Sequence, residues 1–381
     1  MPLGFAGMRL LDRYLLRELL VPLGYCLSGF FIFWVSSDLF AELRSLQERK
    51  LGLGDIAEYY LVKSPEFVVV VLPVALLLAL LYSLTNHARH HEITAIRAAG
   101  ISIWRLALPY FGVGLVSSLA LLALNELWVP DSSDRAEQIK ERHVPPPPGA
   151  PGRDQVLKLG FTNAREGRLW QIPVYNLESG EMFNPQVIWA QRDGTRLWIR
   201  AERGWWTNGV WVFAKVRLDR EPAQTNSLLV PVLQTNVMAF PEFSETPEQI
   251  RSEMKISQGI SLRGARKADI PVAAILNYLR LHPNPSASDA AWLFTKLHGR
   301  LALPWTCLVV VLIAIPFGGA SGRRNVFVGV ASSIGICFAY FVLQQLCLAL
   351  GTGGHLPPWL AGWLPNFAFG GAGLWLTAKV R

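Results

Sequence analysis

The chain has 381 residues, of which 51% are hydrophobic and 17% charged, a balance too apolar and too unevenly spread for an ordinary soluble protein. Its net charge of +8 suits topology control and anionic lipid better than nucleic acid, and no zinc-finger, helicase or RNA-binding pattern accompanies it. These numbers predict an α-helical integral membrane protein.

A membrane span needs about 20 apolar residues, and six stretches qualify. The first runs from about Leu19 to Leu39, the second from Phe67 to Leu84 and the third from Ile103 to Val129. After a long polar middle come Leu301 to Ala320, Val326 to Leu350 and Trp359 to Thr377, giving six transmembrane helices arranged three plus three around an insert. The first apolar run follows Arg9, Arg13 and Arg17 and outlasts a signal-peptide core, so no cleavable signal is expected. All four cysteines lie in apolar runs and are expected to be free thiols.

Lys and Arg near span ends set orientation. One side carries Arg9, Arg13, Arg17, Arg89, Arg97, Arg105, Arg323, Arg324, Lys379 and Arg381; the other carries Arg44, Arg49, Lys50 and Lys63 in the loop after the first span. Both termini are therefore expected in the cytoplasm. The insert is then expected outside, in the periplasm of a two-membrane cell.

Between the second and third spans lies L-T-N-H-A-R-H-H-E-I-T-A-I-R-A-A-G-I-S-I-W-R, Leu84 to Arg105. Ile93, Ile96 and Ile101 recur at roughly helical spacing, Glu92 and Arg97 share the polar side, and Gly100 stands where a helix would stop. The pattern predicts a helix over about 86–100, pinned between two spans, where a separate motor protein pushes on a transporter. A connecting loop whose basic residues only fix topology is the plainer alternative.

The insert opens with Pro130 to Val144, a helical extension of the third span, followed by the stiff run Pro145, Pro146, Pro147 and Pro148. From Gln155 to Val237 short alternating runs follow, with hairpin turns at Asp193-Gly194 and Asn208-Gly209. They predict an all-β sandwich or jelly roll of about 85–95 residues. Six of the 14 tryptophans fall here, to form either a large aromatic core or an apolar cleft for a lipid chain. Helices are predicted from Thr246-Pro247-Glu248, from Asp269 and Pro271 to His282, and from Ser286 to Arg300, placed between the β module and the membrane surface. The divisions expected are 1–144 with three spans, 145–245 with the β domain and its proline-rich linker, 246–295 with linker helices, and 296–381 with three spans.

No phosphate-binding loop of the G-x-x-x-x-G-K-[ST] form occurs, so ATP hydrolysis is expected in a partner. The acidic residues near the spans, Asp38, Glu66 and Glu126, sit at span ends rather than mid-membrane, which disfavours an ion-driven carrier. His90, His91 and Glu92 point about 100° apart on a helix and lack the H-E-x-x-H spacing, so no metal site is expected; no G-x-S-x-G elbow occurs, so neither is catalysis.

The opening L-L-D-R-Y-L-L-R-E-L-L (Leu10 to Leu20), L-P-V-A-L-L-L-A-L-L (Leu72 to Leu81), H-E-I-T-A-I-R-A-A-G-I-S (His91 to Ser102) and L-H-G-R-L-A-L-P (Leu297 to Pro304) resemble the LptF/LptG permease family, also called YjgP/YjgQ. These are the inner-membrane subunits of the lipopolysaccharide-export ABC transporter, and the likeness covers nearly the whole chain. It implies pairing with a second LptF/LptG-type subunit and with a cytoplasmic ABC ATPase dimer, which would bind ATP and magnesium; no cofactor is expected in this chain. It implies that Glu92 docks in a groove of the ATPase, supported by Arg97 and the turn Ala98, Ala99 and Gly100. It further implies lateral gates at spans one and five, and a periplasmic jelly roll that passes acyl chains to a jelly-roll bridge protein.

Lipopolysaccharide carries phosphates above acyl chains, so basic groups over apolar surface are expected. Arg44, Arg49, Lys50, Lys63 and Arg300 are the headgroup candidates. Phe30, Phe31, Phe33 and Trp34 in span one and Phe338, Phe341 and Leu343 in span five are the chain or gate candidates. Solvated, snorkelling or packing roles stand beside each. Two other assemblies remain open from sequence: a permease that transmits force to a periplasmic domain without carrying lipid, and a membrane-anchored scaffold whose β module binds a partner.

Overall fold

The computed structural model describes residues 10–143, 155–191, 193–223, 229–261, 270–319 and 326–379. The proline run at 145–148, Asp269, and Arg9, Arg323, Arg324 and Arg381 lie outside them. The chain divides into two compact units, Met1–His143 with Ala290–Arg381, and Val144–Asp289.

The first unit is helical: α1 (Leu10–Glu48), α2 (Leu53–Arg89), α3 (Glu92–Ala98), α4 (Ile103–Ala123) and α5 (Val129–Glu141) precede the insert, and α9 (Thr306–Gly319), α10 (Val326–Thr352) and α11 (Pro358–Lys379) close the chain. Among the described residues, four segments are long and apolar enough to cross a membrane: α1, α2, Ile103–Trp128 and Ala287–Pro316. The first two are much longer than the apolar runs alone. Arg44 and Lys63 therefore stand on α1 and α2 and not in a loop, because the polar flanks of both runs continue the helix up to a four-residue turn, 49–52.

Leu15 and Leu19 of α1, Leu76 and Leu80 of α2, Tyr110 of α4 and Val311 of α9 belong to one buried cluster. Small residues let α11 pack tightly: a Cβ at Gly373 would lie 2.9 Å from the Leu312 carbonyl, and one at Gly362 2.7 Å from the His298 backbone. A buried polar chain ties the same helices. Thr306 donates to the Tyr340 hydroxyl (2.8 Å), Tyr340 to Asn366 Oδ1 (2.8 Å), and Asn366 to the Ala302 carbonyl (2.8 Å). Between α4 and α5 the helix widens into a π turn, Leu124–Trp128, whose Asn125 carbonyl accepts from Arg300 at 3.1 Å.

The second unit carries β1 (Gln155–Asn163), β2 (Arg168–Asn176), β3 (Met182–Phe183), β4 (Gln186–Ala190), β5 (Arg196–Arg200), β6 (Arg203–Thr207), β7 (Val210–Glu221) and β8 (Val230–Phe240), followed by α6 (Pro247–Ser261) and α7 (Val272–Leu281). All pairings are antiparallel. Followed round, β2, β3, β6, β7, β5 and β4 close on themselves, with β1 flanking β2 and β8 flanking β7, so the sheet is barrel-like. Asn208 (φ 49°) and Gly209 (φ 80°) both take the left-handed conformation that a two-residue hairpin turn needs, and they join β6 to β7. The β1–β2 ladder steps over Pro173, which has no N–H to give.

The interior of the sheet is aromatic. Trp170 and Trp211 are fully buried among Phe213, Phe240 and Phe243, which favours the aromatic-core reading of the tryptophans. One polar node sits in it: Glu245 Oε1 accepts from Asn163 (2.7 Å), Arg168 Nε (2.9 Å) and Trp170 Nε1 (3.1 Å), while Arg168 lies over the rings of Trp189 and Phe243.

Thr246 and Gln249 cap α6 reciprocally, Thr246 N–H to Gln249 Oε1 (2.9 Å) and Gln249 N–H to Thr246 Oγ1 (3.3 Å). Between α6 and α7, His282 Nε2 meets Glu253 Oε1 at 2.8 Å; burial pushes the Glu253 carboxyl up, and His282 opposes that rise. Helix α8 (Ala287–Ala302) starts after Ser286, whose Oγ accepts from the Asp289 N–H (3.2 Å), and leads through one tight turn, Leu303–Trp305, into α9.

Candidate functional site

The segment between α2 and α4 is built from a break, a short helix and a stop. Asn86 to Arg89 finish α2; His91, at φ 58°, turns the chain, and α3 begins at Glu92. A single helix over 86–100 is thus corrected to two, since a left-handed residue cannot continue an α-helix. The stop is as the sequence predicts. Gly100 (φ 83°) follows the helix, with the Gly100 N–H bonded to Arg97 O (2.9 Å) and the Ile101 N–H to Ile96 O (3.3 Å). This is the paired closure that favours glycine after a helix. Ser102 then caps α4 by accepting from the Arg105 N–H (3.3 Å).

Ile93 is buried and Ile96 packs on the same helical core, so α3 is anchored along one side. Its other side presents Thr94, Ala95, Arg97, Ala98 and Ala99, all exposed. Small side chains beside a carboxylate leave room for another protein surface to approach.

The Glu92 carboxylate is held from within the chain. The Tyr14 hydroxyl of α1 donates to both oxygens, at 3.0 and 3.2 Å, and His87 Nδ1 of α2 lies 2.7 Å from Oε2. A carboxylate only accepts, so Nδ1 carries the proton. His87 is buried and the Glu92 side chain is 32% exposed, which leaves part of the carboxylate facing outward. After α3, Arg105 of α4 donates to Asp12 of α1 at 2.8 Å. The sequence singles out Glu92, Arg97 and Gly100 in this segment but does not show that Tyr14 and His87 meet the Glu92 carboxylate. Tyr14 lies 78 positions away, and His87 reads as one of three nearby histidines.

The basic headgroup candidates do not converge. Lys63 donates to Asp38 (3.3 Å) and to the Tyr59 hydroxyl (2.8 Å), Arg49 pairs with Glu137 (3.4 Å), and Arg300 bonds the Asn125 carbonyl beside Glu126, while Arg44 and Lys50 are exposed. The aromatic candidates split. Trp34 stacks on Phe67 of α2 at 4.7 Å, Phe30 packs on the helical core, and Phe341 lines an apolar crevice with Pro73, Leu77 and Ile313. Phe33 and Phe338 are about 70% exposed on α1 and α10. Among the described residues, no group of three or more His, Cys, Asp or Glu is placed to hold a metal ion.

The family model for the lipopolysaccharide export system permease LptF/LptG matches residues 13–379, nearly the whole chain. The chain belongs to the LptF/LptG family. That membership implies a lipopolysaccharide-export permease, a transport component of the membrane, and accords with the four apolar helices. A search of curated proteins finds no match. In this LptF/LptG protein, the short helix headed by Glu92 is exposed on one side and anchored on the helical core through Ile93 and Ile96 on the other.

Proposed function

We propose that this chain is one of two LptF/LptG-type subunits of an ABC transporter in the bacterial inner membrane, extracting lipopolysaccharide and passing it to a periplasmic bridge. A cytoplasmic ATPase dimer binds α3 and supplies the energy; the chain itself is not a catalyst. In this reading α10 and α11, with 27 and 22 residues, complete six spans, both termini are cytoplasmic, and the barrel-like sheet is a periplasmic jelly roll.

The observation that carries the reading is the Glu92 site, an outward-facing carboxylate at the head of a short helix braced between two long apolar helices. A push on α3 moves α2 and α4 with it, because Ile93 and Ile96 are embedded in their core. Three further features support it. Only 11% of the apolar window of α1 is buried, against 61% for α2, which leaves a face for a second subunit or for lipid. Phe33 and Phe338 supply exposed apolar surface on the two spans assigned to the gates. Strand β8 exposes Val230, Val232, Leu233 and Val237 and, among the described pairings, bonds only β7, which leaves an edge for the bridge protein.

Replacing Glu92 tests the coupling role. Glu92→Ala removes the charged partner of the ATPase groove, and a charge-assisted hydrogen bond is worth about 1.5–3 kcal/mol. ATPase retention on the purified permease should fall at least tenfold while the permease still elutes as a folded species. Unchanged retention would remove Glu92 from the interface.

A further inference from the structure

Two side chains grip the carboxylate that the coupling role assigns to the ATPase, and neither belongs to α3. Tyr14 reaches it from the first turns of α1, and His87 from the last turn of α2. We propose that Tyr14 and His87 are positioning residues for Glu92, and that the Tyr14 bond delivers the movement of α3 to α1. The inference rests on the coupling role of Glu92 and adds the residues through which it acts.

The argument is one of preorganisation. A free glutamate side chain samples many rotamers and loses that freedom when a partner fixes it. Here the buried His87 ring, at 2.7 Å as a charge-assisted bond should be, and the Tyr14 hydroxyl, shared between both oxygens at 3.0 and 3.2 Å, have already fixed the carboxylate. A carboxylate has about four lone-pair directions. Tyr14 and His87 take the inner ones, and the exposed third of the side chain leaves the outer ones for donors on the ATPase. Glu92 can thus serve the partner without releasing its own chain.

The second half follows from how weakly α1 is otherwise held. Most of its apolar stretch is unburied, yet its first turns, beside the buried Leu15 and Leu19, carry two polar ties, Tyr14 to Glu92 of α3 and Asp12 to Arg105 of α4. When α3 tilts, these ties draw the end of α1 along. Of the four apolar segments compared, α1 has the smallest buried share, so it can follow such a pull with little packing to break.

The test is a mutant cycle on the assembled permease in nanodiscs, with a wild-type second subunit, titrated with the nucleotide-free ATPase dimer. Tyr14→Phe and His87→Leu should each weaken ATPase affinity about 5- to 10-fold. In a Glu92→Ala background the same changes should matter less than twofold, because the group they position is gone. His87→Asn, whose amide N–H stands near the position of Nδ1, should recover most of the affinity. At saturating ATPase, Tyr14→Phe should lower lipid released per ATP hydrolysed severalfold. Equal losses in both backgrounds, or no loss in the wild-type background, would overturn the inference. If Glu92→Ala alone leaves affinity unchanged, the coupling role itself has failed, and that result is read independently of the other two.

Discussion

Glu245 and Arg168 are both fully buried, and the carboxylate of one meets Nε of the other at 2.9 Å. Removing Glu245 takes the buried counter-charge from Arg168 and leaves it only the exposed Glu166, 3.2 Å away; breaking a buried pair costs about 3–5 kcal/mol, whereas replacing both members by apolar groups is often near neutral. Glu245→Ala should therefore unfold the β unit early, seen as lost amide hydrogen-exchange protection in β2 and β7, while a joint Arg168→Met, Glu245→Leu change should restore much of it. Equal protection in the single and double variants would mean that the pair is not what secures this core. Neither residue stands out in the sequence, because 77 positions separate them. Separation in sequence likewise hides the bond of Tyr14 to Glu92, 78 positions apart, and the pairings of Lys63 with Asp38 and of Arg49 with Glu137, 25 and 88 apart. Sequence identifies a basic residue near a span end, but only the fold shows whether a carboxylate already meets it.

Elements were legible wherever one residue type satisfies a local demand. Gly100 ends α3, Thr246 and Ser286 begin α6 and α8, and the Asp193-Gly194 and Asn208-Gly209 turns join their strands, each for a reason that operates within a few residues. Breaks without such a marker were not legible: His91 turns the chain at φ 58° with no glycine to announce it. Strand β3, with two residues, and β6, with five, are too short to show alternation. Helix packing left a different trace, since glycines stand where α11 touches its neighbours. At Gly373 a side chain would meet the α9 backbone, whereas Gly371 has nothing within 4 Å. Overpacking a tight contact costs about 1–3 kcal/mol. Gly373→Val should lower the melting temperature of the purified permease by several degrees, and Gly371→Val should change it little. Equal shifts at the two positions would show that α11 is not held by this close approach.

At the scale of the whole molecule, the chain is an LptF/LptG protein made of a helical membrane unit and a barrel-like β unit. Apolar helices on both sides of an inserted set of strands were readable because membrane spans and hairpins have distinct hydrophobic periods. The surfaces on which the proposed assembly depends, the open face of α1, the edge of β8 and the outer side of Glu92, become visible only in the fold. The proposed function requires all three to be occupied in the membrane. The most direct measurement is purification of this chain from its own membrane in mild detergent, followed by mass spectrometry of the proteins and lipids that accompany it. A soluble Walker-type ATPase together with a second LptF/LptG-type subunit and a lipopolysaccharide-type glycolipid is the predicted result. An ATPase without glycolipid would point to force transmission without lipid transport, and the absence of both would contradict the account.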